Sequence, residues 1–140
     1  MVHDPTRRWL WIALSVLAAP AGAAPLACPP NLAVAQHAAD PPAGFQAFEI
    51  DKRHVWINAQ LSDGPPDEQA WLAPDSTKKS PKAFTNTWTL YASPRGTWLS
   101  CVYGDTSVML SRRLPEGLKV CEIRYDAGMS PPMATAIDCR

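Results

Sequence analysis

The chain has 140 residues, with 13 basic and 13 acidic side chains and no formal net charge. That length suits one modest core and is too short for two ordinary domains. Without a basic excess there is no field to draw nucleic acid or anionic lipid.

Residues 1–23 have the three parts of a cleavable signal peptide. Arg7 and Arg8 are positive, Leu10 to Ala19 is an uncharged apolar run, and Pro20 precedes the small residues Ala21-Gly22-Ala23. The run is shorter than the about 20 residues that span a bilayer, and no later segment replaces it as a transmembrane segment. Arg7-Arg8 faintly echoes a twin-arginine signal, and Leu26-Ala27-Cys28 a lipid-attachment box. An ordinary signal also needs the arginines, and Pro25 and Pro29 fit the lipid box poorly. Losing Asp4, Arg7 and Arg8 leaves a net charge of −1. The expectation is a leader of residues 1–23 and a single disulfide-stabilised β-rich domain of residues 24–140, periplasmic or secreted.

Strand patterns follow in chain order. Residues 32–36 alternate as Leu32, Val34, Gln36. Residues 54–61 set Val55, Ile57, Ala59 and Leu61 on one face and His54, Trp56, Asn58 and Gln60 on the other. Residues 62–85 form the longest irregular stretch, acidic at first (Asp63, Asp67, Glu68, Asp75) and then basic (Lys78, Lys79, Lys82), with room for a helical turn at residues 68–72. Residues 87–92 alternate again around Trp88 and Leu90. Further runs at 97–103, 107–112, 118–125 and 133–139 are joined by turn chemistry such as Ser93-Pro94-Arg95-Gly96 and Pro115-Glu116-Gly117. All but Pro5 and Pro20 of the 15 prolines lie beyond the leader, which leaves little space for long helices. The fold class expected is mainly β: an antiparallel meander forming a small sandwich or barrel, stabilised by two disulfides.

Cys28, Cys101, Cys121 and Cys139 all lie beyond the leader, in a chain bound for an oxidising compartment. None is spaced as a zinc ligand pair. In a meander of runs 97–103, 107–112 and 118–125, Cys101 and Cys121 stand two strands apart, about 9.6 Å. A disulfide needs Cα atoms within about 7 Å. Cys121 and Cys139 suit neighbouring strands, which leaves Cys28 for Cys101.

Several pieces together resemble a family of short, exported, uncharacterised proteobacterial proteins. They are the start Cys28-Pro29-Pro30-Asn31-Leu32-Ala33-Val34-Ala35-Gln36, the segment from Asp63-Gly64-Pro65-Pro66 through Trp71-Leu72-Ala73-Pro74, Trp98-Leu99-Ser100-Cys101-Val102-Tyr103, and Leu110-Ser111-Arg112-Arg113-Leu114-Pro115. The resemblance spans nearly all of residues 24–140. It implies export and paired cysteines, and it brings no catalytic residues.

Site chemistry is sparse. His37 and His54 are the histidines beyond the leader, and no metal-binding pair at helical spacing exists. No nucleophile elbow is present and no free thiol is expected, so no catalytic residue, metal or cofactor is assigned. His54 is read as a half-exposed strand histidine. Glu49 and Asp51, two apart, are read as solvated strand carboxylates. Of Trp56, Trp71, Trp88 and Trp98, most belong in a core. Trp71 sits on the proline-rich loop, where an aromatic either anchors a partner or folds back with Leu72 to cap the sheet.

The favoured function is an exported, non-enzymatic binding protein, an inhibitor or toxin-neutralising protein of the immunity type. Its partner would be another exported or envelope protein. Trp71, Asp63, Glu68 and Leu72 would form the contact. A structural or accessory envelope protein is the alternative, and a small hydrolase using His54 with a carboxylate is the third. Peptide mapping of the unreduced protein should recover Cys28 linked to Cys101 and Cys121 to Cys139. A Cys101–Cys121 peptide would overturn the meander argument.

Overall fold

The computed structural model describes residues 26–50 and 53–140. The leader assigned to residues 1–23 lies outside the described residues, as does Asp51. Eight strands form two four-stranded sheets: β1 (Asn31–Ala33), β2 (Arg53–Asp63), β3 (Ser76–Lys79), β4 (Ala83–Thr89), β5 (Thr97–Tyr103), β6 (Met109–Arg113), β7 (Val120–Asp126) and β8 (Met133–Cys139). One sheet runs β1-β2-β5-β6 and the other β3-β4-β7-β8, and every pairing is antiparallel. No helix among the described residues is long and apolar enough to cross a membrane.

Alternation dictates which side chains enter the core. Ala59 and Leu61 of β2 with Leu99, Cys101 and Tyr103 of β5 meet Trp88, Cys121, Ile123 and Tyr125 from the other sheet. The two sheets therefore share one core, as in a sandwich. The meander divides between them: the β5–β6 hairpin lies in the first sheet and β7–β8 in the second, with residues 114–119 crossing over. The disulfides are Cys28–Cys101 and Cys121–Cys139. Cys121 stands directly opposite Cys139 in the β7–β8 register. Cys28 ties the segment before β1 to the centre of β5, which also settles its sulfur against a lipid-attachment role.

Polar contacts join the sheets where apolar packing leaves off. The Tyr125 hydroxyl donates to Asn58 Oδ1 at 2.8 Å, and Asn58 Oδ1 also accepts from the Ala59 N–H at 2.8 Å. The Tyr103 hydroxyl donates to the Pro29 carbonyl at 2.9 Å. Phe84 stacks on Tyr125 with ring centroids 4.6 Å apart.

Three expectations need correction. The stretch 62–85 is not irregular throughout: it contains β3 and the start of β4, whose Ser76-Thr77-Lys78-Lys79 and Phe84-Thr85-Asn86-Thr87 pair residue for residue. Polar side chains on both faces hid them, because the ribbon has an exposed edge. The expected helical turn at 68–72 is instead a 3-10 turn at Pro66–Glu68, and residues 70–72 are extended beside β2. Finally, β2 does not keep one face throughout. A bulge between Trp56 and Asn58 reverses the alternation, so Val55 is exposed while His54 is buried.

Burial raises the pKa of both Tyr103 and Tyr125 above the ordinary 10.0. A raised phenol pKa means the unfolded chain ionises first, so this contribution to stability is intact below pH 10 and is lost as pH rises through the raised values. Denaturant unfolding between about pH 9 and pH 11 should show falling stability, with a shallower fall for Tyr125→Phe.

Candidate functional site

The end of β2 leads into the segment singled out in the sequence. Gly64 has φ 92° and its N–H donates to the Gly96 carbonyl at 2.8 Å, so the turn out of β2 lies against the β4–β5 loop. A Cβ on Gly64 would come within 2.8 Å of the Arg95 guanidinium, which explains a glycine there. After the 3-10 turn, Gln69 takes φ 56° and reverses the chain. The Asp63 N–H then donates to the Ala70 carbonyl at 3.0 Å, and the Leu72 N–H to the Leu61 carbonyl at 2.8 Å. Trp71 bridges Ser62 in antiparallel register.

That register decides where Trp71 points. Directly opposed residues share a face, and Ser62 alternates with the core residue Leu61. Trp71 therefore stands on the outer face of the first sheet. Ser62 and Ser100 also face outward, yet neither is exposed at all. The loop covers them, and it shares a hollow of about 520 Å³ with Met109 and Ser111 of β6. Trp98, on the same outer face, keeps a buried indole N–H without a partner.

Asp63 and Glu68 do not stand free as contact residues. Arg95 pairs with both, at 3.6 Å from Asp63 Oδ2 and in closer contact with Glu68. The Ser93 hydroxyl donates to Asp63 Oδ1 at 2.5 Å. These groups are partly exposed, so the pairs contribute little to overall stability. Their effect is to tie the loop to the neighbouring turn. On the other side, the indole N–H of Trp88 donates to the Leu72 carbonyl at 2.9 Å. The loop is thus held from both sheets, while Trp71 and Leu72 remain 39% and 36% exposed. Trp71 thus lies beside Ser62 on the outer face and remains partly exposed.

Two exposed features escaped the sequence reasoning. Tyr91 is 77% exposed and stands between a hollow of about 280 Å³ beside Leu72 and one of about 450 Å³ lined by Leu114, Leu118 and Lys119. The alternation of Trp88 and Leu90 inward already turned Tyr91 outward. Phe45, Phe48 and Ile50 are also strongly exposed, on a segment without regular structure. Nothing in the alternation marks that segment.

His54 is buried rather than half exposed. Its Nδ1 lies 2.8 Å from the Gly104 carbonyl and its Nε2 3.3 Å from Gln36 Nε2. The first contact requires a proton on Nδ1, so Nε2 accepts from the Gln36 amide. Both nitrogens thus hold β2 to its neighbours. Glu49 accepts from the Gln36 N–H at 3.1 Å in the segment before β2. Among the described residues, no three metal-ligating side chains come together.

Trp88→Phe would keep most of the ring volume and remove the donor to Leu72. A loss of about 1–2 kcal/mol is expected, with faster hydrogen exchange at the Leu72 amide than at Ile123. Unchanged exchange at Leu72 would mean that the loop is held without Trp88.

The model of a family described as Type VI secretion system Tli immunity protein matches residues 51–140, well over half of the chain. No curated protein and no solved structure matches.

Proposed function

The chain belongs to the Type VI secretion system Tli immunity protein family, and from that premise we propose that it neutralises its toxin by covering it with the loop of residues 63–74. An immunity protein acts on a protein partner, the toxin, so the site sought is a contact surface. The observation that carries the loop is its preorganisation. Trp71 and Leu72 are held by backbone bonds to β2 and by the Trp88–Leu72 hydrogen bond, with the Arg95 pairs tying the preceding turn to the β4–β5 loop, yet each keeps over a third of its surface open. A rigid aromatic on a fixed loop loses little conformational entropy on binding and is the kind of residue that dominates interfaces.

Asp63 and Glu68 act in this reading by setting the loop against Arg95. Asp67 adds negative charge to the loop, which favours a partner surface with cations around an apolar hollow. Tyr91 lies next to Leu72 and extends the same surface. Two disulfides suit an oxidising compartment, and the leader pattern of residues 1–23 favours the periplasm, with the toxin met there or at the envelope.

The oxidised protein, used for affinity capture from periplasmic and secreted extracts, should retain one stoichiometric partner. Trp71→Ala should weaken that complex by at least about 2 kcal/mol, the range of an interface anchor, while leaving the thermal midpoint nearly unchanged. A variant that unfolds instead assigns Trp71 to covering the sheet. A folded variant that binds as well as the parent removes the loop from the contact.

A further inference from the structure

The chain leaves the proposed contact loop directly into β3, an edge strand of the second sheet. All four of its residues, Ser76 to Lys79, are exposed. Ser80 N–H donates to the Ala83 carbonyl across the tip of the hairpin. In an antiparallel ladder, inward and outward backbone groups alternate. Counting back from Ser80 along the β3–β4 register, Lys78 and Ser76 bond inward to β4, while Thr77 and Lys79 turn their backbone N–H and C=O groups away from the sheet.

This open edge is positively charged and uncompensated. Lys78, Lys79 and Lys82 are exposed, and none has a carboxylate within ion-pair distance among the described residues. Arg124 adds a fourth free cation, because Thr85 is flanked by Lys78 on one side and Arg124 on the other. Lys78 and Arg124 thus lie on one face, about 10 Å apart. Nearby carboxylates make other contacts, Asp75 accepting from the Thr89 N–H. Glu122 and Asp138 both pair with Arg140, and Asp126 Oδ1 accepts from the Gly128 N–H.

We propose that the free edge of β3 receives an extended acidic segment of the toxin as an added strand, with Lys78 and Arg124 facing its carboxylates on one side of the sheet and Lys79 on the other. Strand addition draws affinity from main-chain hydrogen bonds and specificity from side chains. Lysines on an edge also deter indiscriminate pairing. The same charges that repel a neutral or basic strand favour an acidic one, so deterrence and selection have one cause. The edge continues the proposed loop contact in the chain, which gives the toxin a two-signed footprint: cations facing Asp67, carboxylates facing the lysines. The proposal rests on the immunity reading for the identity of the partner, and its chemistry can be tested apart from it.

The probe is an eight-residue peptide of alternating Glu and Val, compared with its Gln counterpart and with phosphatidylglycerol vesicles, each added to the oxidised protein and read by backbone amide NMR. The Glu peptide should shift and protect the Thr77 and Lys79 amides. Its affinity should fall at least tenfold in 0.5 M salt or in K78E/K79E, and less in K78Q/K79Q, which serves if the reversed variant fails to fold. Trp71→Ala should bind the peptide like the parent. If the peptide binds and the toxin ignores Trp71→Ala, the loop contact fails and the edge stands. The proposal is overturned if the Thr77 and Lys79 amides do not respond, if the Gln peptide binds equally well, or if only the vesicles engage the lysines.

Discussion

The hydrogen bond from the Trp88 indole to the Leu72 carbonyl is the contact on which the arrangement of this protein turns. Trp88 is a core residue, and a buried indole N–H left unpaired costs about 1–3 kcal/mol. No strand of the second sheet supplies the acceptor. The acceptor comes from a loop that has just left the first sheet and will shortly enter the second as β3. Satisfying one donor in the core therefore fixes the path of a surface loop, and with it the position of Trp71 over Ser62. The path of a surface loop is set by a demand from the interior.

A similar logic joins the sheets elsewhere. Asn58 stands just after the bulge in β2, where one carbonyl oxygen accepts from both Tyr125 and the Ala59 N–H. The bulge frees the residue to reach across, and the same irregularity turns His54 inward to meet Gly104 and Gln36. A histidine that looks like a candidate base in the sequence is a fastening in the fold. The family to which the chain belongs acts through a protein partner, and a fold that spends its buried polar groups on its own rigidity suits that task.

Much of this was legible in the sequence, and the misses have definite causes. Strands 97–103 and 133–139 were readable to the residue, because clean alternation and flanking turn residues mark both ends. The disulfide pairing matches the one argued from a single meander, although β5 and β7 lie in different sheets, so only the neighbouring-strand argument for Cys121 and Cys139 carries over. β3 was not readable: Ser76-Thr77-Lys78-Lys79 buries no face, and periodicity reports burial rather than hydrogen bonding. The reversal of faces in β2 was invisible because a bulge carries no signature in Trp56-Ile57-Asn58. Asp63 ends β2 and Glu68 lies in the turn beyond it, and their engagement by Arg95 is a tertiary fact that no local pattern announces.

The disulfides join the first cysteine of the chain to the second and the third to the fourth. Of the three pairings open to four cysteines, this is the one that an oxidant produces when it links each thiol to the next to arrive. A chain entering an oxidising compartment from its N-terminal end presents Cys28, then Cys101, and that pair can close before Cys121 appears. Cys121 and Cys139 then find only each other. For a chain exported in that direction, its own order would lead to the native bonds without reshuffling.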